Sequence, residues 1–368
     1  MSGGPMGLPP LKIVMLGLSI TSSWGNGHAT TYRSLVRELS SRGHEVLFLE
    51  RDMPWYRDNR DLPKPPWCST GLYSCTDELK DRFEADVMDA DFVMVGSYVP
   101  EGVTVARWAL DIARGATAFY DIDTPVTFAK LRLRDYEYLT PGLIPRFDIY
   151  LSFTGGPILE RIEKEFASPM ARPLYCSVDI EVYRPEKMEK RWEIGYIGTY
   201  SKDRQQPLNN LFLEPARRLD GSFVVAGPLY PCDTVWPGNI QRIEHLPPGQ
   251  HRSFYGSMKY TMNITRAQMI RAGYSPSVRL FEAAACATPV ISDYWTGLDC
   301  FFSPGKEILV TRSAEDTIRH LREIPEEERV KIGERARARV LAGHTSVHRV
   351  DELESYLGSV LNKQEVLK

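Results

Sequence analysis

Leu11-Lys-Ile-Val-Met-Leu-Gly-Leu-Ser-Ile-Thr-Ser-Ser-Trp-Gly-Asn-Gly-His28 begins as an apolar run to Leu16, interrupted by Lys12 alone, and dissolves into a loop of glycine, serine and threonine. Beyond it Ala29, Tyr32, Leu35, Val36 and Leu39 recur at helical spacing up to a Ser-Arg-Gly stop at Gly43, and Val46 to Leu49 supplies a second apolar run. A short continuous run bounded by turn residues reads as a strand buried on both faces, and the 3.6-residue period after it as one face of a helix. Strand, loop, helix, strand is the unit from which parallel sheets are wound, because parallel neighbours need a crossover long enough to hold a helix.

The alternation continues through Phe92 to Val95, a helix around Val103 to Ala113, Thr117 to Tyr120 and Ile149 to Phe153. It pauses in a proline-rich stretch from Ser168 to Lys187. It then restarts with Ile194 to Ile197, a helix near Leu208 to Leu219, Phe223 to Ala226, Val290 to Ser292 and Glu307 to Val310, and closes with helices near 314–323, 326–341 and 346–361. A chain of 368 residues exceeds what one core usually supports. The expected architecture is α/β with two Rossmann-like domains: 1–172, a crossover at 173–190, a second domain at 191–345, and a last helix at 346–368 packing back towards the first.

A net charge of −3 provides no basic field, so nucleic acid is not an expected partner. Cys68, Cys75, Cys176, Cys232, Cys286 and Cys300 show no Cys-x-x-Cys pairing, several within apolar runs, and read as reduced thiols. Met1 to Pro10 lacks the regions of a signal peptide, and no apolar run approaches the roughly 20 residues of a membrane span. A cytoplasmic protein is expected.

Several stretches carry chemistry. Trp24, Gly25, Asn26, Gly27 and His28 precede a helix, where loop amides face an anion or a sugar hydroxyl and His28 titrates. Gly25-x-Gly27-x-x-Thr30 imitates a dinucleotide fingerprint with Glu50 as the ribose acid, but the glycines stand well past the strand end and Thr30 replaces a small residue. Asp121 and Asp123 follow an apolar strand and are expected to share a face at the sheet's carboxyl edge, with Asp123 nearer the loop. They could serve a base or a metal; ordinary turn and cap roles are the alternative. Gly198, Thr199, Lys202 and Arg204 combine close-approach backbone with cations, as a diphosphate requires. Arg266, Ser277, Arg279 and Glu282 lie on a later rim. Glu282 stands in a small, apolar helix and needs a partner, either a ribose diol or Arg279 three residues earlier.

Arg279-Leu-Phe-Glu-Ala-Ala-Ala-Cys-Ala-Thr-Pro-Val-Ile-Ser-Asp293 resembles the nucleotide-sugar segment of GT-B glycosyltransferases, closest to the CgeB/YkvP-like group related to family 4. Pro173 to Pro185 is similar to that family's interdomain segment, Gly198 to Arg204 to its Gly-x-Tyr…Asp-Arg loop, and Arg339 to Thr345 to its C-terminal tail. The resemblance implies a GT-B fold whose two domains face each other across a cleft, with acceptor on the first and donor on the second. It implies Glu282 on the donor ribose, as the second acid of a Glu-x7-Glu motif whose first position is Tyr274 here. Arg279, Arg204, Arg266 and Lys202, in that order, are candidates for the diphosphate, with Gly198, Thr199 and Ser277 beside them. Trp24 to Gly27 and Asp121 would meet a glycan or small-molecule acceptor.

The expected reaction is metal-independent transfer of a sugar from a nucleoside diphosphate to an acceptor hydroxyl, with no tightly bound cofactor. Asp123 or His28 would be the base if the enzyme inverts; the family 4 resemblance implies retention, which needs none. A sugar-nucleotide epimerase or phosphorylase, a nicotinamide oxidoreductase, and a non-catalytic surface or spore-type structural protein are the alternatives.

Overall fold

The computed structural model describes residues 8–25 and 27–366. The chain forms two compact units: one from the residues up to Cys176 together with those from Ser346 onward, the other from Ser177–Thr345. The first holds β1 Lys12–Gly17, β2 Glu45–Arg51, β3 Ser69–Tyr73, β4 Phe92–Gly96, β5 Ala116–Asp121, β6 Ile149–Ser152 and β7 Ala171–Pro173. They lie in the order β3-β2-β1-β4-β5-β6-β7, every described pair parallel. The second unit holds β8 Trp192–Ile197, β9 Phe223–Ala226, β10 Ile240–Ile243, β11 Met258–Asn263, β12 Val290–Ser292 and β13 Leu309–Val310. Their order is β10-β9-β8-β11-β12-β13, again parallel.

Both faces of the first sheet are buried. Val14, Leu16, Leu49, Val93, Val95 and Phe119 point into one core, and Ile13, Met15, Phe48, Met94, Ala118 and Tyr120 into the other. That two-sided burial explains why β1 and β4 read as continuous apolar runs rather than alternating ones. The strands that the sequence pattern left out are short or weakly apolar. In β3, Gly71 sits where any Cβ would stand 2.6 Å from both Leu49 and Phe83, so its neighbours fill the space of its missing side chain.

In the second unit the helix expected near 208–219 starts earlier, at Lys202, and runs through Pro207 and a π-turn at Asn209–Leu213 to Arg218. Pro207 has no N–H to give to the preceding turn, and the wider turn beside it keeps the backbone helical. Leu208, Leu211, Phe212 and Leu213 are buried there with Ile194, Tyr196, Val225 and Met262. The early start places Arg204 on the first turn of this helix, beside the end of β8.

The helix Ser346–Val366 belongs to the first unit. Val350, Leu353, Leu357 and Val360 form one stripe, all buried in the core that contains Tyr32, Leu35, Val36 and Leu39. Polar contacts fix its register. Arg42 donates to Glu354 at 2.9 Å and to the Val347 carbonyl at 3.0 Å, and pairs with Asp351 at 2.7 Å. The Nδ1 of His44 accepts the Leu11 N–H at 3.1 Å, so a neutral ring carries its proton on Nε2 and donates it to Glu354 at 2.9 Å. No helix among the described residues is long and apolar enough to cross a membrane.

The stripe gives a direct test of docking. Leu353→Ala should cost about 2–5 kcal/mol in urea denaturation, with faster amide exchange along 346–366. Val347→Ala, at a position 41% exposed on the same helix, should stay within about 0.5 kcal/mol.

Candidate active site

Open parallel sheets bind ligands at the carboxyl ends of the strands where successive connections run off in opposite directions. In the first sheet that point lies between β1 and β4, and in the second between β8 and β11. The segments leaving these four strands, 18–27, 97–101, 198–201 and 264–266, carry or adjoin most of the residues singled out in the sequence.

In the second unit two glycines bring backbones into contact. Gly198 N–H donates to the Ala226 carbonyl at 2.8 Å, and a Cβ on Gly227, whose φ is +145°, would stand 2.1 Å from the Gly198 oxygen. A Cβ on Gly198 would meet the Tyr196 hydroxyl at 2.6 Å and Arg279 Nη2 at 3.1 Å. Arg279 comes from the first turn of the helix Val278–Ala285. Its Nη1 donates to Asn263 Oδ1 at 2.9 Å, and its guanidinium carbon lies 5.1 Å from the centre of the Tyr196 ring. Asn263, the last residue of β11, is itself fixed by donating to Ser292 and Thr265 at 2.9 and 3.2 Å. Arg204 Nη2 donates to the Thr199 carbonyl at 2.6 Å. The Nε of Arg204 and of Arg279 are both buried with no partner, so two guanidinium groups keep unused donors beside the Gly198–Thr199 backbone.

Arg266 caps the short helix Ala267–Ala272, and Asp203 links its start to the 202–208 helix by accepting the Ala267 N–H at 2.9 Å. Burial works to raise the Asp203 carboxyl, but bonds from Ser201 and Ala267 and the charges of Arg266 and Arg204 outweigh it and hold it below the usual range. Lys202 is exposed on the first turn of its helix. Ser277 is the N-cap of the Arg279 helix, and its side chain makes no capping bond.

Arg279 and Glu282 part company. No ion pair joins them among the described residues; with Arg279 on Asn263, Glu282 turns to a separate cluster. Its Oε2 accepts the Tyr255 hydroxyl at 3.2 Å and lies 3.9 Å from His251 Nδ1. Tyr183 completes the group by contacting His251 Nδ1 at 3.2 Å. Burial first, and then the Glu282 charge, push both phenols well above their ordinary range. Tyr274, at the first motif position, has φ +48°, and its ring packs where a Cβ on Gly297 would stand 2.5 Å away.

In the first unit His28 is the first residue of the helix His28–Ser41, and its ring centre lies 5.6 Å from that of Tyr98. Tyr98, with φ +64° just past β4, donates its hydroxyl to Asp123 Oδ2 at 2.9 Å. The two expected catalytic candidates are thus joined through a tyrosine that the sequence pattern did not mark. Asp123 is the N-cap of the helix Thr124–Arg132 and is 4% exposed.

Asp121 corrects the expectation that both aspartates face an acceptor. The strand ends at Asp121, so the two-residue alternation does not reach Asp123. Asp121 is fully buried and accepts Thr127 Oγ1 at 2.8 Å, the Asp123 N–H at 3.2 Å and the Tyr150 hydroxyl. Burial pushes its carboxyl up to about 6. Glu50 is sealed in the same manner, holding Ser19 Oγ at 2.9 Å, Thr21 Oγ1 at 2.6 Å and the N–H groups of Ile20 and Thr21 at 2.7 and 3.0 Å. It organises the loop after β1 and has no role left as a ribose acid. On that loop Trp24 and Gly25 are exposed, and Gly25 has φ +61°. Gly27 caps the helix with an ordinary φ of −66°, and Asn26 lies outside the described residues.

Residues 204–355 match the family model described as glycosyl transferase-like. No curated protein matches the sequence. Among solved structures, sucrose-phosphate synthase from Thermosynechococcus elongatus superimposes with a TM-score of 0.67 at 12% identity, covering 97% of this chain and 99% of its own. The Anabaena protein HepE in complex with UDP-glucose gives 0.70 at 12% identity over 95% and 100%. An alpha-glucosyltransferase in complex with UDP-glucose and DNA containing an abasic site gives 0.72 at 14% identity over 95% and 100%. At such identities the likeness carries the fold, which is GT-B. With the glycosyl transferase-like segment on that fold, the chain is a glycosyltransferase of the GT-B type.

Asp121 offers a pH test. Its carboxyl is raised in the folded chain, so its stabilising contribution is complete below the unfolded value of 3.8 and is lost as pH rises through about 6. Relative to Asp121→Asn, the wild type should lose on the order of 3 kcal/mol between about pH 4 and pH 7. Urea denaturation of both proteins at several pH values measures the difference; parallel curves would show that the carboxyl ionises as freely as in the unfolded chain.

Proposed function

We propose that the protein transfers a glycosyl group from a nucleoside-diphosphate sugar to an acceptor hydroxyl, with the donor on the second unit and the acceptor, a glycan or small molecule, on the first. One observation carries the reading: Arg279 and Arg204 hold unused N–H donors against the Gly198–Thr199 backbone at the switch point of the second sheet. A diphosphate needs fixed donors and positive charge aimed where its own charge grows as the sugar leaves. The UDP-glucose complexes of HepE and the alpha-glucosyltransferase support the donor class.

Each residue then has a task. Glu282 takes the ribose hydroxyls, while Arg279, with Arg204, Arg266 and Lys202 behind it, takes the diphosphate beside Gly198, Thr199 and Ser277. The bond from the anomeric carbon to the phosphate oxygen breaks, its electron pair stays on the diphosphate, and the acceptor oxygen bonds to that carbon. The leaving charge is met by guanidinium groups rather than by a divalent ion, each well-placed donor contributing roughly 3–4 kcal/mol. In the retaining course that the CgeB-like affinity of Arg279 to Asp293 favours, the acceptor proton passes to the departing phosphate oxygen. Asp123 and His28, joined through Tyr98, then orient the acceptor hydroxyl, and Trp24, Gly25 and Gly27 flank it.

A thermal-shift panel of UDP, ADP and GDP and their glucose conjugates tests this. At one hundred times its Kd, a binding ligand adds about 2.7 kcal/mol and raises the melting temperature by several degrees. Arg279→Ala should lower diphosphate affinity by on the order of 1.5–3 kcal/mol. Gly198→Ala, whose methyl would displace Tyr196 and Arg279, should lower it as well. Absence of any shift across the whole panel would falsify the donor reading.

A further inference from the structure

The peptide groups that follow β8 are spent unequally. Gly198 N–H donates to the Ala226 carbonyl at 2.8 Å and Tyr200 N–H to the Pro228 carbonyl at 3.0 Å, both on the side of β9. Between them the Thr199 N–H has no partner among the described residues, while the Thr199 carbonyl accepts Arg204 Nη2 at 2.6 Å. The Thr199 N–H and the Gly198 carbonyl belong to one trans peptide, so they point in opposite directions. A Cβ on Gly227 would stand 2.1 Å from the Gly198 oxygen and 3.2 Å from the Thr199 nitrogen, which places the carbonyl towards β9 and the N–H away from it. One side chain holds that oxygen: the Tyr230 hydroxyl donates to it at 3.2 Å. Leu229, at φ +68°, adopts a turn conformation uncommon for its size, and Tyr230 follows directly. Arg242 of β10 then clamps the ring. Its guanidinium carbon lies 4.5 Å from the centres of both the Tyr230 and the Trp236 rings, and it donates to the Val225 and Gly227 carbonyls at 2.6 and 2.9 Å. Burial first and then Tyr196 raise the Tyr230 phenol, and Arg204, Arg242 and Arg279 draw it down, so three guanidinium groups stand within electrostatic reach of this hydroxyl.

We infer that Tyr230, clamped by Arg242, is a positioning residue for the donor diphosphate: it pins the Gly198 carbonyl towards β9 and so keeps the Thr199 N–H available to a phosphate oxygen, together with the unused Nε donors of Arg204 and Arg279. The inference rests on the donor reading of this backbone. Glycine has no Cβ to resist rotation of the peptide that follows it, so the Gly198–Thr199 group needs an outside hold. Turned over, it would offer its carbonyl oxygen to an anion, and the contact would repel. Pinned, it is a donor fixed before the leaving charge grows, which is the arrangement that costs no reorganisation during the reaction. Arg242 spends its donors on the turn, so it acts through Tyr230 and Gly227 rather than on the ligand.

The experiment titrates the full chain, isotope-labelled at its threonine amides, with UDP, ADP and GDP, following affinity by calorimetry and the Thr199 amide by NMR; Thr199→Ser assigns that signal by its loss. In the wild type the nucleotide that binds most tightly should move the Thr199 amide proton downfield, as a new hydrogen bond to phosphate does. Tyr230→Phe keeps the ring over Arg242 and removes only the hydroxyl. It should lower the affinity by on the order of tenfold and leave the Thr199 amide unmoved at saturation. Arg242→Lys keeps the charge but gives up the fork and the stacking, and should lower the affinity in the same direction. The double variant should bind no more weakly than Tyr230→Phe, because both residues act through one peptide. A tyrosine that merely packs the turn would lower the melting temperature yet leave the Thr199 amide shifting at saturation, and additive losses would make Arg242 a separate contact; either result overturns the inference. If the nucleotide binds the wild type without moving Thr199, the inference falls and the donor reading stands. If no nucleoside diphosphate binds, the donor reading itself fails and takes this inference with it.

Discussion

A guanidinium nine-tenths buried and bonded to no carboxylate governs the second unit. Removing a charge from water costs several kcal/mol unless something answers it. Around Arg279 the fold supplies a carbonyl from Asn263 and the face of Tyr196, which stabilise a cation without neutralising it. Asp293, the acid that feels Arg279, has its carboxyl raised by burial and gives its oxygens to Thr265 rather than to the guanidinium. The glycines at 198 and 227 and the anchoring of Asn263 are the geometric conditions for holding that charge in place.

The first unit solves the opposite problem. Its two innermost carboxylates, Glu50 and Asp121, are each surrounded by donors and spend their acceptor capacity on the protein. Glu50 winds the loop after β1 around itself and so sets where Trp24 and Gly25 emerge. Asp121 ties β5 to the following helix and to Tyr150 on β6, which leaves Asp123 as the carboxylate at the rim. Tyr98, in a left-handed conformation that a bulky side chain rarely adopts, is held there by its bond to Asp123 and by Tyr138 at 4.9 Å.

The parallel sheets were legible because strands buried on both faces leave unbroken apolar runs, and helices between them leave a period of 3.6. β3 and β10 were not, since one gives its middle position to glycine and the other, Ile240-Gln-Arg-Ile243, is half polar. At the site, Arg279, Arg204 and Gly198 could be read because a cation beside a close-approach glycine is unusual at a strand end. Tyr98, Asn263, Tyr183, Tyr255 and His251 were missed, as each lies far in sequence from the group it serves and only the topology brings them together. Asp121 was misread because alternation was carried one residue past the end of the strand. Asn263 left one usable sign, a fully buried amide at the last position of a strand.

The second unit is an insertion in the first: the chain leaves the seven-stranded sheet after Cys176 and returns to it only at Ser346. Synthesis runs from the amino end, so the stripe of Val350, Leu353, Leu357 and Val360 is made last, after every residue of the inserted unit. Until then Leu35, Val36 and Leu39 wait without the helix that packs beside them, and His44 without the carboxylate that accepts its hydrogen bond. Completion of the first unit is therefore timed by translation of the second, and a ribosome-bound chain can hold a finished second unit while the first is still open.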